Sequence, residues 1–160
     1  MSRLAIIPGS FDPLTTGHYS LVLRASKLFE QVIVLVCQNF EKSYIFTSEE
    51  RLEIVRAAFS DIHNVTAEIH SGWLYEYLEA HKPCVLVKGV RNERDFAYER
   101  DMACFNFSKC GVETLILPSE PSENDTSSTK VRALLEQSGD WKVLIPQNAQ
   151  KTVEKFYAGK

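Results

Sequence analysis

Short apolar runs alternate with amphipathic segments along most of this 160-residue chain. The runs are nearly continuous in apolar, often β-branched residues, a pattern typical of parallel strands that are covered on both faces. They predict five strands, at residues 3–8, 31–38, 65–70, 84–88 and 113–118.

The segments between the runs carry apolar residues at helical spacing. The first predicted helix starts at Gly17 and has an apolar face of Leu21, Val22, Ala25, Leu28 and Phe29. A capping box at residues 47–50 opens a second helix that extends through Phe59. Further helices are predicted at residues 74–81, 93–108 and 127–137, with a last one after Pro146 to about Tyr157.

This alternation predicts an α/β fold, a doubly wound five-stranded parallel sheet of Rossmann-like type with C-terminal helices. The length favours a single domain over residues 1–160. In an open parallel sheet, ligands bind beyond the carboxyl ends of the strands. We therefore expect the functional residues in the loops at 8–17, 38–46, 71–74, 89–91 and 119–128.

Composition and charge exclude several classes of function. The net charge of −3 gives no electrostatic reason to expect a nucleic-acid partner. No apolar run approaches the ~20 residues that a membrane helix needs, so no membrane association is expected. The four cysteines form no CxxC pair. We interpret them as reduced structural thiols and expect a cytoplasmic protein.

The stretch PGSFDPLTTGH, from Pro8 to His18, is richer in glycine and proline than a plain strand–helix connection needs. Its glycines allow a ligand to approach the backbone, and the helix start offers free N–H groups and a positive dipole end. His18 can place an imidazole N–H against the same anion. The residues alone also allow a simpler interpretation, in which Gly17-His18 merely begins a helix that Thr16 caps.

Two motifs resolve this choice. GSFDPLTTGH resembles the first signature of the nucleotidyltransferase superfamily, and SSTKVR at residues 127–132 resembles its second. Within the superfamily, the chain resembles the bacterial phosphopantetheine adenylyltransferase family. Four further features carry this resemblance: Lys42 followed by FTSEER, the block KGVRNERDFAYE at residues 88–99, the pair Gly139-Asp140, and LIP at residues 144–146.

The resemblance implies transfer of the adenylyl group of ATP to 4′-phosphopantetheine, giving dephospho-coenzyme A and pyrophosphate by in-line attack without a covalent intermediate. His18 would stabilise the transition state. The acceptor would be bound by Ser10, Lys42, Leu74 and Lys88. ATP would be bound by Ser10, Phe11, His18, Gly89, Val90, Arg91, Glu99, Glu123, Asn124, Asp125, Thr126, Ser127, Ser128 and Thr129.

The same resemblance implies Mg²⁺ as cofactor, held mostly by the phosphates and by no dedicated protein metal site. It also implies a homohexamer and feedback inhibition by coenzyme A. The fourth helix, with Phe96, Met102 and Phe105, offers either an apolar interface or core residues. Arg94 and Asp95 are interpreted as a charged helix entrance without a role in the site.

The chain departs from the family pattern in two places. Lys88 stands where the family usually has arginine, which keeps the charge but loses the bidentate fork. The segment SENDTSST is unusually acidic, which leaves the adenine contacts open. Three alternatives remain at this stage: a nicotinamide or nicotinate mononucleotide adenylyltransferase, a cytidylyltransferase, and a non-catalytic nucleotide- or coenzyme A-binding module.

Overall fold

A computed structural model describes residues 4–39, 42–123 and 125–160 of the chain. Arg3, the predicted first residue of the first strand, and Asn124, a predicted ATP-binding residue, lie outside this part. Strands and helices alternate in the order β1 (Leu4–Gly9), α1 (Thr16–Ser26), β2 (Gln31–Gln38), α2 (Ser48–Ala58), β3 (Val65–Ser71), α3 (Leu74–Ala80), β4 (Val85–Val90), α4 (Glu93–Cys110), β5 (Thr114–Pro118), α5 (Ser128–Glu136) and α6 (Gln147–Tyr157). Short 3₁₀ turns occupy Pro121–Glu123 and Lys142–Leu144.

The five strands form one parallel sheet in the order β3-β2-β1-β4-β5. The predicted doubly wound sheet is therefore confirmed. The strand order reverses between β1 and β4. The chain first adds β2 and β3 on one side of β1 and then adds β4 and β5 on the other side. Loops on either side of this reversal leave a crevice at the carboxyl ends of the strands.

Both faces of the sheet are covered by helices, which explains why its strands are continuously apolar. Alternate residues of a strand point to opposite faces. Ala5 and Ile7 of β1 pack with residues of α1, α2, α5 and α6, whereas Ile6 packs on the other face with residues of α3 and β4. The length predicts one domain over residues 1–160, and that remains a prediction.

Two details of the predicted helices are wrong. Thr15, and not Thr16, is the N-cap of α1, because the Thr15 hydroxyl accepts the backbone N–H of His18. Leu28 is 65% exposed and does not belong to the apolar face, since α1 ends two residues earlier, at Ser26.

The fourth helix, α4, exposes much of its aromatic surface. Phe96 is 47% exposed and Phe105 is 38% exposed, so the interpretation of these two as core residues is wrong. The cysteines are free thiols: Cys84 and Cys110 are buried, Cys37 is half-buried and Cys104 is exposed. None of the described helices is long and apolar enough to cross a membrane.

Candidate active site

Two adjoining cavities open at the carboxyl ends of β1 and β4. The first cavity, of about 540 Å³, lies between the start of α1, the start of α4 and the segment before α5. The second cavity, of about 690 Å³, lies between the ends of β1 and β2, the start of α3 and the middle of α4. The walls that they share are formed by Pro8, Gly9, Lys88, Tyr98 and Glu99. A ligand with two parts can therefore occupy both cavities and bridge them at Lys88.

The loop after β1 folds tightly over its own glycine. A Cβ atom on Gly9 would lie 2.8 Å from Cζ of Phe11, so only glycine leaves room for this ring. Phe11 is 2% exposed and adopts a left-handed backbone conformation with φ of 49°. Its ring meets the imidazole of His18 edge-on, with 5.1 Å between the ring centroids. Phe11 thereby forms a wall against which His18 is held.

A capping box sets the orientation of the His18 ring. The Thr15 backbone N–H donates to Nδ1 of His18 over 3.1 Å, while the Thr15 hydroxyl accepts the His18 N–H. A neutral imidazole has one donor and one acceptor nitrogen. Since Nδ1 accepts, the proton is on Nε2, which is free to donate from the wall of the first cavity.

Burial keeps this imidazole neutral. Desolvation, together with the positive charges of Arg91 and Lys88, lowers the pKa of His18 to about 4. Near pH 7 the residue is therefore an uncharged hydrogen-bond donor. Such a donor can stabilise the negative charge that develops on a phosphate in the transition state through a hydrogen bond, although the imidazole itself carries no charge.

Three cations line the cavities, and two of them, Lys88 and Arg91, are each paired with a carboxylate. Lys88 lies on the shared wall, with its Nζ 3.1 Å from Oε1 of Glu99. Arg91 lines the first cavity and donates from Nε to Asp95 over 2.9 Å, a bond that lowers the pKa of Asp95. Glu99 thereby fixes the position of Lys88 at the junction of the cavities, and Asp95 fixes that of Arg91 in the first cavity.

Arg94 and Asp95, interpreted as a charged helix entrance, lie in the first turns of α4 and also line the first cavity. Asp95 also fixes the guanidinium of Arg91. The i,i+4 spacing of Arg91 and Asp95 was the signal in the sequence that could have revealed this pair.

The predicted ATP residues near α5 lie mostly on the wall of the first cavity opposite α4. Glu123 accepts a hydrogen bond from the Thr16 hydroxyl over 2.7 Å, and Ser127 caps α5 by accepting the N–H of Lys130. Thr126, Ser128 and Thr129 also line this cavity, as does Gly89 near the end of β4. Val90 and Asp125 line neither cavity, and Asn124 lies outside the described residues.

The predicted acceptor residues are divided between the second cavity and the surface. Ser10 and Leu74 line the second cavity, as does the exposed ring of Trp73. Lys42 is exposed and lines neither cavity, so its role as a phosphate ligand stays a prediction.

Sequence reasoning missed three residues that hold the site loops together. The buried carboxylate of Asp12 accepts the N–H groups of Ile45 and Phe46, at 3.0 and 2.9 Å. Arg132 donates to the carbonyl of Asp12 over 2.7 Å. Arg51 donates to the carbonyl of Ser10 over 2.6 Å. Because these partners are backbone groups far away in the sequence, no local pattern marked them.

The described residues contain no group of three or more His, Cys, Asp or Glu side chains that could hold a metal ion. Among the carboxylates of the first cavity, Asp95 and Glu99 are occupied by ion pairs with Arg91 and Lys88. Glu123 forms no ion pair within residues 4–39, 42–123 and 125–160 and keeps one oxygen for a further ligand. A Mg²⁺ ion with one carboxylate and several phosphate or water ligands fits this donor set.

Comparisons with known proteins identify the relatives of this chain. A family model described as cytidylyltransferase-like matches residues 6–134. The curated phosphopantetheine adenylyltransferase of Kocuria rhizophila is 41% identical over 95% of this chain and 98% of that protein. The phosphopantetheine adenylyltransferase of Thermobifida fusca is 36% identical over 98% of this chain and 95% of that protein.

The chain belongs to the phosphopantetheine adenylyltransferase family. This membership confirms the resemblance seen in the sequence motifs and the predicted enzyme class, a nucleotidyltransferase. Of the three alternatives, the non-catalytic module is therefore wrong.

Solved structures show the same fold. A putative nicotinate-nucleotide adenylyltransferase from Vibrio parahaemolyticus superposes with a TM-score of 0.72 over 100% of this chain and 98% of that chain, at 16% identity. A bifunctional NMN adenylyltransferase/ADP ribose pyrophosphatase from Francisella tularensis gives a TM-score of 0.71 at 14% identity, covering 99% of this chain and 52% of that chain. At such low identity, these likenesses establish only the fold.

Proposed function

We propose that this family member transfers the adenylyl group of ATP to 4′-phosphopantetheine, releasing pyrophosphate and dephospho-coenzyme A. The observation that carries the proposal is the junction of two cavities at Lys88, with the Nε2–H donor of His18 on the wall of the first. The relatives of 36–41% identity, whose names state this activity, support it.

The proposed chemistry needs little from the protein beyond position and charge. The attacking group is a phosphate that is already ionised, so neither a general base nor a covalent intermediate is required. ATP would occupy the first cavity, with its phosphates near Arg91 and the start of α5. His18 would donate to the α-phosphate as negative charge increases there, a contribution typical of preorganised donors.

The acceptor would occupy the second cavity. Its phosphate would bind Lys88 at the junction and Ser10 beside it. Lys42, in the exposed loop after β2, would add a further cation on binding. The uncharged pantetheine arm would extend along the apolar wall that contains Leu74 and Met102. This arrangement directs the phosphate, and not the thiol end, toward ATP.

Mg²⁺ would accompany ATP and bind mainly to phosphate oxygens, with Glu123 as the protein carboxylate best placed to join it. When bound, the ion would neutralise phosphate charge and orient the leaving pyrophosphate. The protein residues would add the cations Arg91 and Lys88 on the surrounding walls.

Three further properties belong to the same proposal. Coenzyme A contains both an adenine nucleotide and a pantetheine arm, so it would compete for both cavities and act as a feedback inhibitor. The exposed aromatic residues of α4 would form contacts in a homohexamer. The free thiols Cys37, Cys84, Cys104 and Cys110 support a reducing, cytoplasmic location.

The experiment that tests the proposal is a comparison of acceptors. Purified protein is incubated with ATP, Mg²⁺ and either 4′-phosphopantetheine or nicotinamide mononucleotide, and pyrophosphate release is measured. We expect release with phosphopantetheine and a rate at least ~10²-fold lower with the mononucleotide, whose polar groups would lack partners in the second cavity. Equal rates, or none with phosphopantetheine, would refute the assignment.

A further inference from the structure

Arg51 is a buried cation that the chemistry described so far does not use. It lies in the first half of α2 and is 1% exposed. It lines neither the first nor the second cavity. Within the described part of the chain, no carboxylate forms an ion pair with it. A charge in this position is costly to bury, and an apolar side chain of similar volume would fill the space without that cost.

The contacts of Arg51 show what its guanidinium adds. Nη1 donates to the carbonyl oxygens of Ser10 and Cys37, at 2.6 and 3.1 Å, and the Tyr44 ring lies 4.1 Å from the guanidinium carbon. Ser10 directly follows β1, and Cys37 is the residue before the last one of β2. Both residues line the second cavity. Arg51 therefore connects the segment after β1 with the end of β2, and both of these form walls of the second cavity.

The bond to Ser10 also fixes the peptide that follows it. The Ser10–Phe11 peptide is trans, and in a planar trans peptide the C=O and the next N–H point in opposite directions. Because the Ser10 carbonyl points to Arg51, the Phe11 N–H points away from Arg51. Phe11 itself lines the first cavity. That N–H donates to no other described residue. Phe11 also has the positive φ of 49°, a conformation that persists only where surrounding contacts enforce it.

We propose that Arg51 is a positioning residue that presents the Phe11 N–H to a phosphate oxygen at the junction of the two cavities. The identity of that phosphate rests on the proposed function; the orientation of the N–H does not. The donor is set before the substrates arrive, so it costs no reorganisation during the reaction. Together with Nε2–H of His18, whose ring is 5.1 Å from that of Phe11, it gives the site two fixed donors.

The direct test observes the Phe11 amide. Protein labelled with ¹⁵N-phenylalanine is titrated with MgATP, and the Phe11 signal is identified by its loss in Phe11→Leu. In the parent protein we expect a downfield shift of the Phe11 amide proton on binding. Arg51→Met removes the contact to the Ser10 carbonyl and should abolish the shift. Arg56→Met, which changes an exposed arginine of the same helix, should preserve it.

Steady-state kinetics of the same variants test the consequence for turnover. Arg51→Met should lower kcat by at least ~10²-fold, as for a lost preorganised donor, with a much smaller change in the KM for ATP. Arg51→Lys keeps the charge and reaches one carbonyl, so it should restore part of kcat and part of the amide shift. A purely structural role would lower the unfolding midpoint without this split between kcat and KM.

The outcomes separate this inference from the proposed function. A folded Arg51→Met variant with an unchanged Phe11 shift and kcat within about threefold of the parent would overturn it. If Arg51→Met does not fold, Arg51→Lys decides: a shift and a kcat equal to those of the parent overturn the positioning role, and a partial loss of both supports it. If the parent shows an Arg51-dependent shift with MgATP but no transfer to phosphopantetheine, the proposed function fails and the positioning role stands.

Discussion

At the scale of single residues, His18 has two roles, and a substitution by alanine would remove both at once. Its Nδ1 completes the capping box of α1, and its Nε2–H faces the first cavity. His18→Ala should lose both, whereas His18→Gln can keep the cap, because a glutamine at this position of a capping box accepts the N-cap N–H.

We therefore expect both His18 variants to lose turnover by roughly 2.7–4 kcal/mol of barrier, the range for a lost transition-state donor, with little change in ATP affinity. Only His18→Ala should also lose stability, by about 0.5–2 kcal/mol, the usual value of a cap. Kinetics, ATP binding and urea unfolding of both variants provide the check. Normal turnover in His18→Gln would show that the residue acts through the cap alone.

The lowered pKa of His18 predicts a pH dependence of stability. The unfolded chain takes up a proton on this residue near pH 6.5, whereas the folded protein does so only near pH 4. Between these values the unfolded state binds more protons, so the free energy of unfolding should fall as the pH falls from 6.5 to 4. Urea unfolding across this range should show a smaller fall for His18→Gln than for the parent. Equal slopes would contradict the lowered pKa.

The site residues that could be predicted from the sequence are those whose chemistry stands in a local motif. His18, Lys88 and Arg91 belong to such motifs, and the structure brings all three to the first cavity. Arg51 and Asp12 could not be predicted in the same way. The backbone partners of Arg51 lie 41 and 14 positions away, and those of Asp12 lie 33 and 34 positions away. The spacing of side chains carries no information about such partners.

At the scale of elements, the loop after β1 and the loop before α2 are joined by Asp12. Each oxygen of its carboxylate accepts one N–H, from Ile45 or from Phe46. An asparagine offers only one oxygen, so Asp12→Asn would leave a buried N–H facing an amide NH₂. We expect a loss of about 1–3 kcal/mol of stability, the cost of an unsatisfied buried group.

Urea unfolding would measure this loss, with Asp101→Asn as the matched control, since that side chain is 70% exposed and should contribute almost nothing. Equal stabilities of Asp12→Asn and the parent would show that the two loops hold their positions without this carboxylate.

The elements themselves could be predicted closely, because apolar strands and capped helices are local patterns. The capping box of Thr47 placed the start of α2 correctly, at Ser48. The end of α1 could not be predicted, because the apolar period continues to Leu28 and Phe29 while the helix stops at Ser26. Asn64 donates to the carbonyls of Ser26 and Phe29, so a contact from 35 or more positions away contributes to this ending.

At the scale of the whole molecule, the exposed aromatic side chains of α4 predict self-association. Phe107 is 50% exposed and lines neither cavity, so it can be changed without touching the substrate site. We expect the parent protein to be a hexamer by sedimentation velocity, and Phe107→Asp to shift it to smaller species. Leu28→Asp, at a separate exposed apolar residue, is the control and should leave the assembly unchanged. A monomeric parent protein at micromolar concentration would contradict the prediction.

The junction of the two cavities at Lys88 has a stereochemical consequence. If the acceptor phosphate enters from the second cavity and pyrophosphate leaves within the first, the incoming and outgoing oxygens lie on opposite sides of the α-phosphorus. One such displacement inverts the configuration at phosphorus, whereas a covalent enzyme intermediate would need two and would retain it. ATP made chiral at the α-phosphorus with sulfur and oxygen isotopes should therefore give dephospho-coenzyme A of inverted configuration, as determined by ³¹P NMR. Retention would mean that a protein side chain carries the adenylyl group between the two cavities.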